Sequence, residues 1–152
     1  MALISESLNN ASARVRFYRI AFGMASDGQQ VGIGEISAIL SGLRHGGRIA
    51  FHWQAGEGCA RVELRMVFLA LMCLEAMLPH GGEVAIKKQD GRWHLRGAGQ
   101  KIVTNAAIWP APSGDENIGA HQVQFALLPA ALNASGRSLD LRHDDGAIEL
   151  VF

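Results

Sequence analysis

The amino-terminal part of the chain carries the most regular hydrophobic pattern, which predicts a helix over residues 3–22. Apolar side chains recur there at alternating intervals of four and three residues, as in a heptad repeat. This seam consists of Ile4, Leu8, Ala11, Val15, Tyr18 and Phe22. Gly23 is a suitable residue to end the helix. A seam of this kind needs a second helix alongside, and no long helix follows at once in the sequence.

The middle of the chain predicts two more helices and a strand. A short helix is expected over residues 34–43, and residues 48–53 alternate between apolar and polar positions as a half-buried strand does. Residues 60–78 are apolar almost all round, which predicts a buried central helix. Residues 25–32 and 54–58 are predicted to be loops.

The carboxyl-terminal half predicts two hairpins and one helix. Residues 83–88 and 92–97 flank the turn signal Gln89-Asp90-Gly91, and residues 138–143 and 147–152 flank Asp144-Asp145-Gly146. Between the hairpins we expect a short strand over 101–104, a loop over 109–117 and a helix over 121–133. Pro129 is expected to kink or divide that helix.

This order of elements predicts an α+β fold, in which helices cover one face of a mixed β-sheet. Residues 1–23 form one unit, a helix of a dimerisation hairpin, and residues 24–152 form the second, larger unit.

The charge balance, apolar runs and cysteine count of the chain limit the kinds of function that it can have. The charges of the fourteen basic and fourteen acidic residues cancel, and a net charge of zero argues against nonspecific binding to nucleic acid or to an anionic membrane. The longest apolar run, residues 66–74, is about half the length that a bilayer requires. Cys59 and Cys73 are too few for a zinc knuckle, and no pair of histidines has metal-ligand spacing on a helix. We therefore expect a cytoplasmic protein with no metal and no cofactor.

Residues 61–99 resemble the ATP-binding module of sensor histidine kinases, with a long helix, a glycine turn, a hairpin and Gly97-Ala98-Gly99. When this chain is aligned with the kinase module on Gly81-Gly82, the helix positions that carry asparagines in those kinases hold Leu69 and Cys73. The position of the adenine-binding aspartate holds Leu95. Leucine cannot ligate Mg²⁺, which takes oxygen ligands, so the resemblance implies a degenerate, ATP-incompetent fold of the Bergerat type.

Two segments resemble the ChpT-type histidine phosphotransferases. Residues 11–23 (ASARVRFYRIAFG) are similar to a conserved helix of that family, and residues 64–82 (LRMVFLALMCLEAMLPHGG) to its central helix and glycine turn. The resemblance implies a homodimer built on a four-helix bundle. It also implies a bundle histidine that takes a phosphoryl group from the receiver domain of a hybrid histidine kinase and passes it to response-regulator receiver domains.

The chain departs from this family pattern in one respect. Its first helix matches the second helix of the bundle hairpin, and no histidine precedes His45, so the acceptor imidazole has no counterpart and enzymatic activity stays open. Either some fifty preceding residues are missing or the chain is a natural fragment. No catalytic residue is assigned. Arg14, Arg16 and Arg19, beside the seam, are predicted to contact an acidic receiver surface.

Two other interpretations stay open. One is a nucleotide-binding ATPase or kinase-like module whose ligands lie at unusual positions. The other is a dimerisation or scaffold domain without enzymatic activity, held together by the seam residues alone.

Overall fold

The computed structural model describes residues 2–26, 28–104 and 123–152. In chain order the elements are α1 (Ala2–Phe22), β1 (Gln30–Val31), α2 (Ile33–Gly46), β2 (Ile49–Trp53), β3 (Cys59–Ala60), α3 (Arg61–Met77), β4 (Gly82–Gln89), β5 (Arg92–Ala98), α4 (Val123–Ala134), β6 (Asp140–Asp144) and β7 (Ala147–Val151). The predicted helices and hairpins thus agree with the structure within a few residues.

The main sheet has five strands in the order β2-β4-β5-β7-β6. Only β2 and β4 run parallel, and the other neighbours are antiparallel, so the sheet is mixed as predicted. Asp90 and Gly91 both have positive φ at the β4–β5 turn, as a two-residue hairpin of the favoured hand requires.

The core lies between the sheet and the helices. Most of α3 is buried, from Leu64 to Met77, which confirms the predicted central helix. Inward side chains of neighbouring strands, such as Ile86, Leu95 and Leu150, lie side by side in register beneath it. The opposite face of the sheet carries charged residues, among them Arg96 and Glu149. The α+β class and the one-sided helical layer are therefore confirmed.

Three sequence predictions differ from the structure. Residues 101–104 do not form a strand, because the N–H of Val103 donates to the carbonyl of Met77 at the end of α3 and not to a strand. Two short strands were not predicted: β1 lies within residues 25–32, which were expected to be a loop, and it pairs in a separate two-stranded sheet with β3, which lies between the loop predicted over 54–58 and α3. Pro129 lies within a single helix, α4, and does not divide it. The loop predicted over 109–117 lies outside the described residues.

Candidate functional site

Helix α1 has two apolar faces, one buried against the rest of the protein and one exposed to solvent. One face is buried and consists of Ala13, Phe17, Ile20 and Ala21. Phe17 stacks on Phe68 of α3 with ring centroids 4.5 Å apart, which joins α1 to the central helix. This face explains why α1 lies against the α/β layer.

The other face of α1 carries large apolar side chains in contact with solvent. Its exposed fractions are Leu3 79%, Ile4 63%, Leu8 66%, Val15 56%, Tyr18 39% and Phe22 42%. We call Ile4, Leu8, Val15, Tyr18 and Phe22, the five residues predicted to form the dimer seam, the α1 seam. The structure brings them together on one uncovered face, and their burial by a partner helix stays a prediction.

The three arginines predicted to bind a partner do not form one group. At 100° per residue, Arg16 and Arg19 project from one flank of α1 and Arg14 from the opposite flank. Arg19 is exposed, whereas Arg16 is half-buried and its Nε has no hydrogen-bond partner in the described residues. Arg14 is half-buried and donates to the Tyr18 hydroxyl at 3.4 Å. Arg16 and Arg19 therefore lie on one side of the seam and Arg14 on the other, and contact of these arginines with a partner stays a prediction.

A small cavity of about 240 Å³ lies on the Arg14 side, between α1, the end of α2 and the end of α3. Arg14, Arg48 and Glu75 contribute its charged groups. Burial raises the pKa of the Glu75 carboxyl above its ordinary value, and the charge of Arg14 partly opposes this rise. The contact between Arg14 and Glu75 was not predicted from the sequence; the available signal was the one acidic residue in the apolar second half of α3.

The positions that hold nucleotide in the resembling kinases are part of the hydrophobic core here. Leu69, Cys73 and Leu95 are all fully buried. Burial also raises the pKa of the Cys73 thiol well above its usual range. These side chains contribute packing and offer no oxygen to a metal or a base.

The glycines near these positions serve close packing. A methyl group on Gly82, which has a φ of 148°, would lie 2.0 Å from the Ala98 carbonyl oxygen. One on Gly99 would lie 2.4 Å from the Gly81 carbonyl oxygen. Glycine at positions 82 and 99 therefore lets the turn after α3 pack directly on the end of β5.

The histidines whose side chains are described all lie away from α1. His52 and His94 are on the sheet, within 3.6 Å of Glu83 and 3.4 Å of Glu149 respectively. His80 is in the turn after α3 and His143 is in β6, and both are exposed. Residues 2–26, 28–104 and 123–152 contain no cluster of His, Cys, Asp or Glu side chains suited to a metal ion. None of the described helices has the length and hydrophobicity of a membrane span.

Comparison with known proteins adds to this geometry. The family described as the histidine phosphotransferase C-terminal domain matches residues 33–147. The chain is also similar to the protein phosphotransferase ChpT of Brucella abortus (strain 2308), at 31% identity over 141 residues, which cover 86% of this chain and 68% of that protein.

Solved structures share the fold. A bacterial phosphotransferase superposes with a TM-score of 0.81 at 23% identity over 99% of this chain and 77% of its own length. The histidine kinase domain of the blue-light activated kinase EL346 from Erythrobacter litoralis superposes with a TM-score of 0.57 at 16% identity, over 98% of this chain and 80% of its own. The kinase-like architecture predicted from the sequence is thus present.

Proposed function

Because this chain belongs to the ChpT-type histidine phosphotransferase family, we propose that it serves a bacterial His–Asp phosphorelay by holding receiver domains against α1. The observation that carries the proposal is the α1 seam, a row of exposed apolar side chains flanked by Arg16 and Arg19. Such a row on a soluble domain marks a surface that another helix or protein covers.

The seam's partner in this proposal is a helical bundle shared by two copies of the chain. Heptad spacing fits side-by-side helix packing, in which each apolar residue inserts between residues of the facing helix. The buried face of α1 is already used against α2 and α3, so the bundle forms on the seam face alone. The result is a homodimer in which the two α/β layers lie outside the bundle.

Receiver domains of response regulators, and that of a hybrid histidine kinase, dock beside this bundle in the proposed complex. Arg16 and Arg19 supply positive charge at that flank, where it steers an acidic receiver surface and sets its orientation. Arg14 is assigned a different role, because it lies on the other flank and faces Glu75.

The acceptor imidazole belongs, in this proposal, to a helix packed on the seam. None of the first 44 residues is a histidine, and His52 and His94 are on the sheet with carboxylate neighbours. When such a helix is present, its imidazole nitrogen bonds the phosphorus as the receiver aspartyl oxygen leaves, and the step reverses on the next receiver. The work of this chain is to hold the two groups in line.

ATP has no part in the proposed reaction. Leu69, Cys73 and Leu95 are in the core, so nucleotide would have to displace packed side chains to reach the ligand positions. The phosphoryl group therefore arrives on a receiver domain, and we propose a cytoplasmic site of action where such receivers are found.

Binding and labelling experiments test the proposal together. Purified receiver domains, labelled with ³²P on aspartate, are mixed with the chain, and both complex formation and transfer of label are followed. We expect a complex that weakens at least fivefold in the double variant Arg16→Glu/Arg19→Glu, and no label on this chain. Arg142→Glu, an exposed change on β6, is the matched control and should bind like the native chain. Equal binding by both variants would refute the assigned surface, and label on the chain would refute the assignment of the acceptor to another helix.

A titration calorimetry experiment separates this proposal from a nucleotide-binding module. Addition of Mg-ATP or ADP should give no heat of binding above the dilution of the ligand. A micromolar dissociation constant would favour the nucleotide-binding alternative.

A further inference from the structure

Strand β2 forms one edge of the five-stranded sheet, and its outer backbone groups are unpaired within the described residues. Two hydrogen bonds fix which groups face inward: Gln54 N–H donates to the Ile86 carbonyl, and Gly82 N–H donates to the Arg48 carbonyl. Because backbone direction alternates along a strand, the N–H and C=O groups of Phe51 and Trp53 face outward.

A groove of about 460 Å³ lies at this edge. On one side, Phe51, His52, Trp53 and Gln54 line it, and these consecutive residues point to opposite faces of the sheet. The groove therefore lies on the edge of the strand, not above one face.

The second wall of the groove is a stripe of α2. Ser37, Leu40, Ser41 and Arg44 are spaced three and four residues apart, so they lie in a row along one side of the helix. A helix stripe facing a free strand edge leaves a slot with backbone donors and acceptors on one side and small or apolar side chains on the other. An extended peptide fits such a slot by adding a strand to the sheet.

The charged side chains that line the groove indicate which kind of peptide it can bind. Arg44 is exposed and lines the groove at the carboxyl-terminal end of α2. No acidic side chain lines the groove among the described residues, although Glu83 approaches His52 to 3.6 Å from the adjacent strand. A carboxylate on the ligand would therefore meet Arg44 without a competing acid in the lining.

We propose that the β2–α2 groove binds an extended acidic segment of a partner polypeptide as an additional strand of the sheet. The apolar Leu40, Phe51 and Trp53 take every second side chain of the segment, and Arg44 pairs with a carboxylate at one end. This surface is separate from the α1 seam, so the inference stands or falls independently of the receiver-binding proposal.

The experiment uses the whole chain and phage-displayed random dodecapeptides as the probe. Enriched peptides are resynthesised, and their affinities are measured by fluorescence anisotropy. We expect alternating apolar residues with at least one Asp or Glu, and a loss of at least tenfold when alternate amides of the peptide are N-methylated. Failure to enrich any peptide, or enrichment of peptides that bind equally well after N-methylation, would overturn the proposal.

Matched variants locate the site. Ser37→Trp fills the groove from an exposed helix position, and Arg44→Glu reverses its charge; each should weaken binding at least tenfold. Ala38→Trp adds the same bulk at the neighbouring exposed position, which does not line the groove, and should leave affinity unchanged. Equal effects of Ser37→Trp and Ala38→Trp would count against the groove. If Ser37→Trp instead abolished self-association of the chain, a second copy would be the occupant and the proposed partner would be wrong.

Discussion

Ala13 of α1 and Gly42 of α2 touch so closely that a methyl group on Gly42 would lie 2.3 Å from the Ala13 Cβ. No real pair of such carbons approaches to that distance, so the crossing of the two helices depends on glycine at position 42. The carbonyl of Asn9 lies on the same side, 3.5 Å from that methyl position. This small-residue contact sets how near α1 lies to the rest of the molecule.

Gly42→Ala should therefore destabilise the protein, although the same change in an exposed helix usually stabilises by up to about 1 kcal/mol. Overpacking of this kind costs about 1–3 kcal/mol, because α1 must shift away from α2. Urea denaturation measures the free energy of unfolding. Gly34→Ala is the control, since a methyl group there meets nothing within 4 Å and should be neutral or stabilising. Equal responses of the two variants would disprove the close crossing.

Glu63 joins three parts of the fold, which predicts a large effect on stability for a residue near the surface. Its carboxylate accepts from Lys88 Nζ of β4 and from Arg137 Nη2 after α4, both at 2.9 Å, and it is only 18% exposed. Glu63→Gln should lower the free energy of unfolding by about 1–3 kcal/mol, because two charged donors lose their ionic partner. Glu83→Gln, at a carboxylate that is 73% exposed beside His52, should change it by less than about 1 kcal/mol. Thermal unfolding followed by circular dichroism compares them, and a larger loss for Glu83→Gln would contradict the assignment.

The spacing of apolar residues and the turn residues were enough to predict the elements that depend only on neighbouring positions in the sequence. The periodicity of α1 predicted residues 3–22 against the observed Ala2–Phe22, and the Asp90-Gly91 turn defined the β4–β5 hairpin. Short elements that depend on distant partners gave no such signal. β1 and β3 have two residues each and pair across a long stretch of chain, Val31 with Cys59.

The site was only partly predictable for a related reason. The heptad spacing identified the exposed face of α1, because a seam is a property of one helix. The environment of Arg14 depends on Glu75, which is distant in sequence, so the contact of Arg14 with a buried carboxyl could not be read from α1 alone. The free edge of β2 likewise becomes visible only once the strand order is known.

Restoring the kinase residues should not restore nucleotide binding. Leu69 and Cys73 are fully buried, so Leu69→Asn and Cys73→Asn each introduce a polar amide into the core, which costs about 1–3 kcal/mol or more without a hydrogen-bond partner. We expect lower melting temperatures and no heat of binding with Mg-ATP. Leu69→Met keeps the apolar character and should melt close to the native chain. Micromolar nucleotide affinity in either asparagine variant would show that a usable pocket adjoins α3.

A single charge on the α1 seam should separate the proposed dimer. Val15 is 56% exposed in the single chain, so Val15→Asp costs little in the monomer but buries a carboxylate in the bundle. Sedimentation velocity over a range of concentrations should show dimer for the native chain and monomer for the variant. Ser12→Asp adds the same charge to an exposed position outside the seam and should remain dimeric. A native chain that stays monomeric at high concentration would remove the basis of the bundle.

The raised pKa of the Glu75 carboxyl predicts how the free energy of unfolding changes with pH. Burial, the larger cause, raises the pKa of this carboxyl above its ordinary value of 4.5, while Arg14 lowers it. The folded protein therefore holds the proton of this carboxyl more tightly than the unfolded chain does. The neutral carboxyl contributes its full share of stability below pH 4.5, and that share is lost as the pH rises through the pKa of the folded state.

Glu75→Gln cannot ionise and should escape that loss. Urea denaturation at a series of pH values from about 4 to 8 should show the variant gaining stability over the native chain as the pH rises, with the smallest difference at the acid end. Arg14→Gln removes the charge that opposes the shift, so its stability should fall more steeply with pH than that of the native chain. A difference between Glu75→Gln and the native chain that is constant with pH would mean that Glu75 keeps an ordinary pKa in the fold.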